Sequence, residues 1–352
     1  EAEGPVDFDR EALERDLAFC FRFAARDSPV FFGISLSGVG DPENAPCIIA
    51  LSLSRDVWLC FGMTIETSRF NVQNKIYDPV GRCIYCGSDG AADGLRDEHI
   101  IPFSLGANSV LPKASCTRCE SITSYLDGYL ARSVFYDLRL QTGTQSRRPK
   151  ERPPTRPVKI DTGDAIVELT VPISDHPHFL SLPVWERPRL MYSDQPSTEF
   201  QSVQILSFYY VPPGFAQRHN LPSGSSIPHT AKINILTFAR AIAKIAYAQT
   251  VAFLGLESIR PLCIPDLILG KYPCVPHFVG TNFDGTPTPP ELPYRKHMIQ
   301  HGVYEHGRLR LIYMTVRLFA DSGTPQGAGF PIYEVLAGAL KNEDAAKKLL
   351  SK

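Results

Sequence analysis

Cys83 and Cys86, and again Cys116 and Cys119, form two C-x-x-C pairs, and between the pairs lies the tripeptide Asp97-Glu98-His99. A C-x-x-C turn lets two thiolates reach one ion at about 2.3 Å, and two such turns complete a tetrahedral zinc site of the closed, structural kind. In a chain whose composition reads as intracellular, paired knuckles point to zinc rather than to disulfides. The chemistry must then come from the residues between the knuckles. An imidazole titrates near about pH 6.5, so its neutral form can take a proton at neutral pH. A carboxylate beside it can hold a hard divalent cation.

The elements that would position these groups can be read in order. Glu98-His99-Ile100-Ile101-Pro102 reads as the start of a short apolar strand. Neighbours on a strand point to opposite faces, so a β-bulge or a turn is needed to bring Glu98 and His99 into one cleft. Asn108 follows in the Gly106 to Ser109 turn, and Val110-Leu111 can form a return strand. After Pro112, Ser115 or Thr117 is expected to cap a helix that carries Cys116, Cys119 and Glu120 and continues through Tyr125 and Leu130. The expectation is strand, turn, strand, helix, pinned by zinc.

This pattern resembles the HNH endonucleases with a ββα-metal finger, in the subgroup whose finger is stapled by two C-x-x-C knuckles. The resemblance covers roughly residues 82 to 130, and Cys83, Cys86, Glu98, His99, Asn108, Cys116 and Cys119 match it position by position. Glu120 departs from it, standing where the last metal ligand is commonly Asn or His. The resemblance implies that His99 is the general base that activates a water, and that Asn108 orients the imidazole. It implies that Glu98 and Glu120 hold one catalytic Mg²⁺ or Mn²⁺ against the scissile phosphate, where the ion would stabilise developing charge. Zn²⁺ at the four cysteines would be structural. Asp97 is the rival ligand to Glu98; the preference for Glu98 follows from the position directly before the histidine.

Each part has a plainer reading. A zinc knuckle alone proves no catalysis, since many such modules only bind nucleic acid or protein. A histidine before an apolar run is often a satisfied structural residue, and an asparagine in a glycine-containing turn can be there for its tolerance of positive φ. A non-catalytic zinc-finger nucleic-acid-binding protein that keeps the HNH fold is therefore the alternative to the nuclease. A binding module would not require a base beside two carboxylates, which favours the enzyme.

At 352 residues the chain has room for more than one domain. It has no run of the roughly 18 apolar residues needed to span a bilayer, so no membrane association is expected, and a cytoplasmic location is. The net charge of −1 gives no global attraction to polyanions. Locally, residues 131–160 hold eight cationic side chains against Asp137 and Glu151, an excess of six. Arg132, Arg139, Arg147, Arg148 and Lys150 are the candidate phosphate contacts to DNA in this stretch. A solvated linker is the equally weighted alternative, because residues 141–158 also contain Gly143 and four prolines.

The organisation expected is α+β. An N-terminal extension of uncertain status (1–62) precedes an HNH domain (63–140), a basic linker (141–158) and a separate C-terminal α+β domain of unknown role (159–352). In the first segment, residues 9–26 could form an amphipathic helix and residues 48–53 a strand. The first methionine, Met63, suggests a functional start nearby. In the last, residues 158–173, 203–211 and 309–319 read as strands. Residues 232–254 read as an alanine-rich helix ending at Gly255, and residues 331–340 as a strand or short buried helix. Arg240, Lys244 and Tyr247, at i, i+4 and i+7 on that helix, read as a solvated face. DNA is the expected partner, alongside a protein activator of unknown identity. Cutting specificity and the setting, whether defence or mobile element, are open.

Overall fold

The computed structural model describes residues 30–35, 66–71, 75–144, 150, 152–282, 297–320 and 330–350. The helix expected over 9–26, the strand over 48–53, Arg147 and Arg148 lie outside the described residues. Strands β1 (Val30–Ser35) and β2 (Glu66–Asn71) are followed by β3 (Leu95–His99) and β4 (Val110–Cys116). Helix α1 (Thr117–Tyr129) comes next, and a π-helical turn (Leu130–Val134) joins it to α2 (Tyr136–Gln141).

The remainder comprises β5 (Thr155–Asp161), β6 (Ile166–Pro172), β7 (His178–Val184), β8 (Gln204–Tyr210) and β9 (Ser226–Ala231). The long helix α3 (Ile235–Leu254), β10 (Ile259–Arg260), α4 (Ile264–Leu269) and β11 (Val279–Asn282) follow. The chain then runs through β12 (His297–His306), β13 (Leu309–Leu318), β14 (Ile332–Leu340) and α5 (Glu343–Leu350).

The largest sheet has the order β10-β14-β13-β12-β2, with β11 also on β14. A four-stranded sheet runs β1-β9-β5-β6, and β3-β4 and β7-β8 are two-stranded ribbons. β1, inside the segment expected to be an extension, is thus hydrogen-bonded along its length to β9. β5 and β6 fall where strand alternation predicts them, although β5 opens within the stretch expected to be linker.

Helix α3 organises the core. Asn234 caps its first turn by accepting from the Thr237 N–H at 2.8 Å, and Gly255 closes it. Fifteen of its 20 residues are buried, so it is a core helix covered on most sides rather than a surface helix with one wet face. Arg240, Lys244 and Tyr247 correct the solvated-face reading: Lys244 and Tyr247 are fully buried, and the Arg240 guanidinium donates to the Ile268 carbonyl. The strip faces protein because residues 84–127 pack on Lys244 and Tyr247 and α4 packs on Arg240.

The hydrophobic core that contains Ile84, Ile100, Leu126 and Phe135 from the finger also contains Tyr247, Ile268, Phe319 and Leu336. Among the described residues no break in that core separates the finger from residues 159–352. A smaller cluster, Val158, Ile160, Val171, Val211, Phe215 and Ile227, lies under the β1-β9-β5-β6 sheet. No helix of the described residues is long and apolar enough to cross a membrane.

Candidate functional site

The first knuckle is a tight turn. The Gly87 N–H donates to the Cys83 carbonyl at 2.9 Å and the Cys83 N–H to the Ser88 carbonyl at 2.7 Å. Gly87 turns the chain with φ of +77°, which an L side chain rarely adopts. The second knuckle is a strand end running into a helix start. Cys116 closes β4 and is itself the N-cap of α1, with no side-chain cap; neither Ser115 nor Thr117 caps the helix. A thiolate there faces the positive end of the helix dipole, which favours its charge.

The four sulfur atoms lie within 4.8 Å of one another, with Cys86 Sγ and Cys116 Sγ 3.6 Å apart. Among the described residues no other group of three or more Cys, His, Asp or Glu side chains gathers this closely. Burial raises the Cys83 and Cys119 thiols. At Cys116 burial also works upward, but hydrogen bonds from the Cys119 backbone and the neighbouring thiols bring it down to about 7. Four convergent sulfurs fit Zn²⁺, whose charge would hold all four as thiolates.

β3 and β4 pair antiparallel with a register shift that sets Asp97 opposite residues 112–114, so the bulge lies on β4. Glu98 and His99 pair in regular register with Leu111 and Val110, and the expected bulge between them is absent. The strand ends at His99 instead of starting at Glu98. Ile100 and Ile101 leave the ladder to fill the core. The loop beyond is short and pinned: Pro102 leads into a 3-10 turn (Phe103–Leu105), and Gly106, at φ of +88°, returns the chain. The Ile100 N–H reaches the Ser109 carbonyl at 3.0 Å, and His297 Nε2 from β12 bonds the Leu105 carbonyl at 2.9 Å. Asn108 is exposed on this loop, His99 is half-buried with its ring 6.3 Å from that of Phe103, and Glu120 is half-buried in the first turn of α1.

Glu98 is only 3% exposed. Its Oε1 is 2.8 Å from the Lys244 ammonium, and its Oε2 accepts from the Thr123 hydroxyl at 3.4 Å. Lys244 also pairs with Asp127 at 3.1 Å and donates to the His99 carbonyl. Burial works against the Lys244 charge, but Asp127 and Glu98 outweigh it and hold the ammonium above the usual lysine range. Burial pushes Asp127 up to about 6, with Glu98 adding and Lys244 opposing.

Glu120, Thr123 and Asp127 are spaced i, i+3, i+7 and share one face of α1, so the face that touches Glu98 also carries Glu120. Two carboxylates, Glu98 and Asp127, thus share the one buried ammonium. A carboxylate has about four lone-pair positions, so Glu98 keeps acceptor capacity beyond its two contacts. Asp97 is exposed and its Oδ1 accepts from the Lys113 N–H at 3.1 Å.

The candidate phosphate contacts divide. Arg132 and Lys150 are exposed. Arg139 is half-buried and spent on main chain, donating to the Ser104 carbonyl and to the Ala131 carbonyl at 2.7 Å. Arg156, in the same basic stretch, pairs with Asp137 at 2.5 Å. Lys244 was legible only as a surface cation, and its partners on β3 and α1 give no signal along the chain.

Residues 83–134 match the family model described as HNH endonuclease. The match begins at the first knuckle, spans β3, β4 and α1, and ends at the π-helical turn. No curated protein matches the chain, and no solved structure does.

Proposed function

We propose that this protein is a metal-dependent endonuclease that hydrolyses phosphodiester bonds in DNA. The observation that carries the reading is the coincidence of the HNH match over residues 83–134 with four sulfurs gathered within 4.8 Å, which bring the first knuckle against the start of α1. His99 acts as general base, taking the proton of the attacking water on its neutral imidazole. Asn108, across the short loop, orients that ring. Glu98 and Glu120 would hold one Mg²⁺ or Mn²⁺, which when bound stabilises charge on the scissile phosphate. Arg132 and Lys150 contact phosphates flanking the cut, positioning the duplex without reading its sequence. The zinc site holds the fold and takes no part in the reaction.

One observation favours the non-catalytic binding reading: both Glu98 oxygens already have protein partners. Cleavage of supercoiled plasmid and of single-stranded DNA with Mg²⁺, Mn²⁺ or EDTA separates the two. The nuclease reading expects cleavage that EDTA abolishes while the tightly held zinc is retained. DNA retardation in a gel with no cleavage under any metal would support the binding module.

A further inference from the structure

The family match stops at residue 134, yet the segment it covers is joined to α3 by a buried cation. We propose that Lys244 is a positioning residue of the nuclease centre, supplied by α3 from outside the finger. It fixes the Glu98 carboxylate and the His99 main chain, so the C-terminal part of the chain serves as scaffold for the site. The proposal rests on the nuclease reading above.

Three contacts support it. The ammonium lies 2.8 Å from Glu98 Oε1, 3.1 Å from Asp127, and bonds the His99 carbonyl. One cation therefore grips both members of the Glu98-His99 pair and the helix face carrying Glu120. Lys244 is fully buried, so it cannot reach a substrate and acts only through these partners. Stability alone does not call for such a group, since well-packed apolar residues commonly replace a buried ion pair without loss. A carboxylate that ligates a metal is itself usually oriented by a further partner, and losing that partner costs about 10- to 100-fold in affinity or activity.

The neighbouring contacts on α3 extend the same docking. The Tyr247 hydroxyl donates to the Ile84 carbonyl in the first knuckle at 3.0 Å, and Gln249 Nε2 to the Tyr77 hydroxyl at 3.2 Å. The zinc knuckle and the Glu98-His99 segment are thus referred to one rigid helix, the arrangement that precise placement of reacting groups needs.

The test uses the full chain. Lys244→Met would leave two buried carboxylates unpaired, so it is combined with Asp127→Asn; Lys244→Gln, which keeps two N–H donors, is a second variant. Lys271→Met, removing an exposed cation paired with Asp266 at 3.3 Å, is the control. Zinc content and cooperative melting are checked on each before plasmid nicking is measured. The expected result for Lys244→Met/Asp127→Asn is a kcat reduced about 10- to 100-fold with KM for DNA within about 2-fold of wild type. Lys244→Gln should fall between, and Lys271→Met should match wild type.

A zinc-loaded Lys244 variant with wild-type kcat overturns the proposal, as does one in which only KM changes. A wild type inert with every metal strikes instead at the nuclease reading. The positioning claim is then judged on the His99 ring nitrogens by selective ¹⁵N labelling. Their signals should move between wild type and the Lys244 variants, and unmoved signals overturn it.

Discussion

Acidification should destabilise this fold well before ordinary carboxylates titrate, and the size of the effect follows from three buried histidines. His178, His277 and His301 are 6%, 4% and 1% exposed, and burial lowers each to about 4. His301 Nε2 bonds the Leu349 carbonyl at 2.7 Å, tying α5 to β12. The folded state keeps these rings neutral, while the unfolded chain binds protons near the ordinary value of about 6.5. Unfolding therefore takes up protons, and stability falls as pH drops from about 6.5 toward 4. Between pH 7 and pH 5 each ring costs about 2 kcal/mol, or about 6 kcal/mol for three. Asp127, raised to about 6, binds its proton more readily in the folded state and returns about 1 kcal/mol, leaving a net loss of about 5 kcal/mol against a typical total of roughly 5–15 kcal/mol.

An unfolding entropy of roughly 2.1 cal/mol/K per residue over 352 residues turns that loss into a Tm about 7 °C lower at pH 5 than at pH 7. Differential scanning calorimetry across that range measures it, with His277→Leu as the diagnostic variant. Removing one ring should shrink the drop by about 2 kcal/mol, roughly two-fifths of it. A Tm unchanged between pH 7 and 5, or a His277→Leu protein with the full wild-type slope, would refute the reasoning.

Stripping zinc with a strong chelator, or Cys119→Ser, should loosen the Ile84 and Tyr85 packing against the shared core, as read by near-UV circular dichroism and zinc content. Tyr247→Phe, which leaves the Ile84 carbonyl without its donor, should cost about 1–2 kcal/mol in urea unfolding with no change in zinc stoichiometry. Arg139→Ala should lose about 1–3 kcal/mol of stability while leaving the salt dependence of DNA binding unchanged, because its guanidinium serves two carbonyls. Arg132→Ala should reduce the slope of log affinity against log salt by about 1 with little effect on Tm.

How much of this was legible in the sequence depends on the range over which each signal acts. The gathering of the four cysteines was readable because C-x-x-C spacing is local and thiolate chemistry allows few alternatives. Helix α3 was readable from alanine content, apolar spacing and the stop at Gly255. Ladder pairing was not readable: β4 runs from Val110 through Cys116 instead of ending at Leu111, because its backbone continues to pair with β3 back to Leu95. Lys244 was misread for a physical reason. Its i, i+4, i+7 spacing with Arg240 and Tyr247 is the same on a wet face and on one covered by a finger whose acids lie more than 100 residues earlier. β12, with His297 and His301 among its buried residues, hid behind polar residue types that here serve as hydrogen-bonding core groups.

The central claim is that Glu98-His99 forms a working catalytic pair, and His99→Ala tests it most directly. Wild type and variant, each carrying one zinc and melting alike, are compared for Mg²⁺- or Mn²⁺-dependent nicking of supercoiled plasmid. The account predicts cleavage by wild type and its loss in His99→Ala, by at least about 10²-fold, with DNA binding unchanged. Equal cleavage by both, or none by either while both still bind DNA, would contradict it.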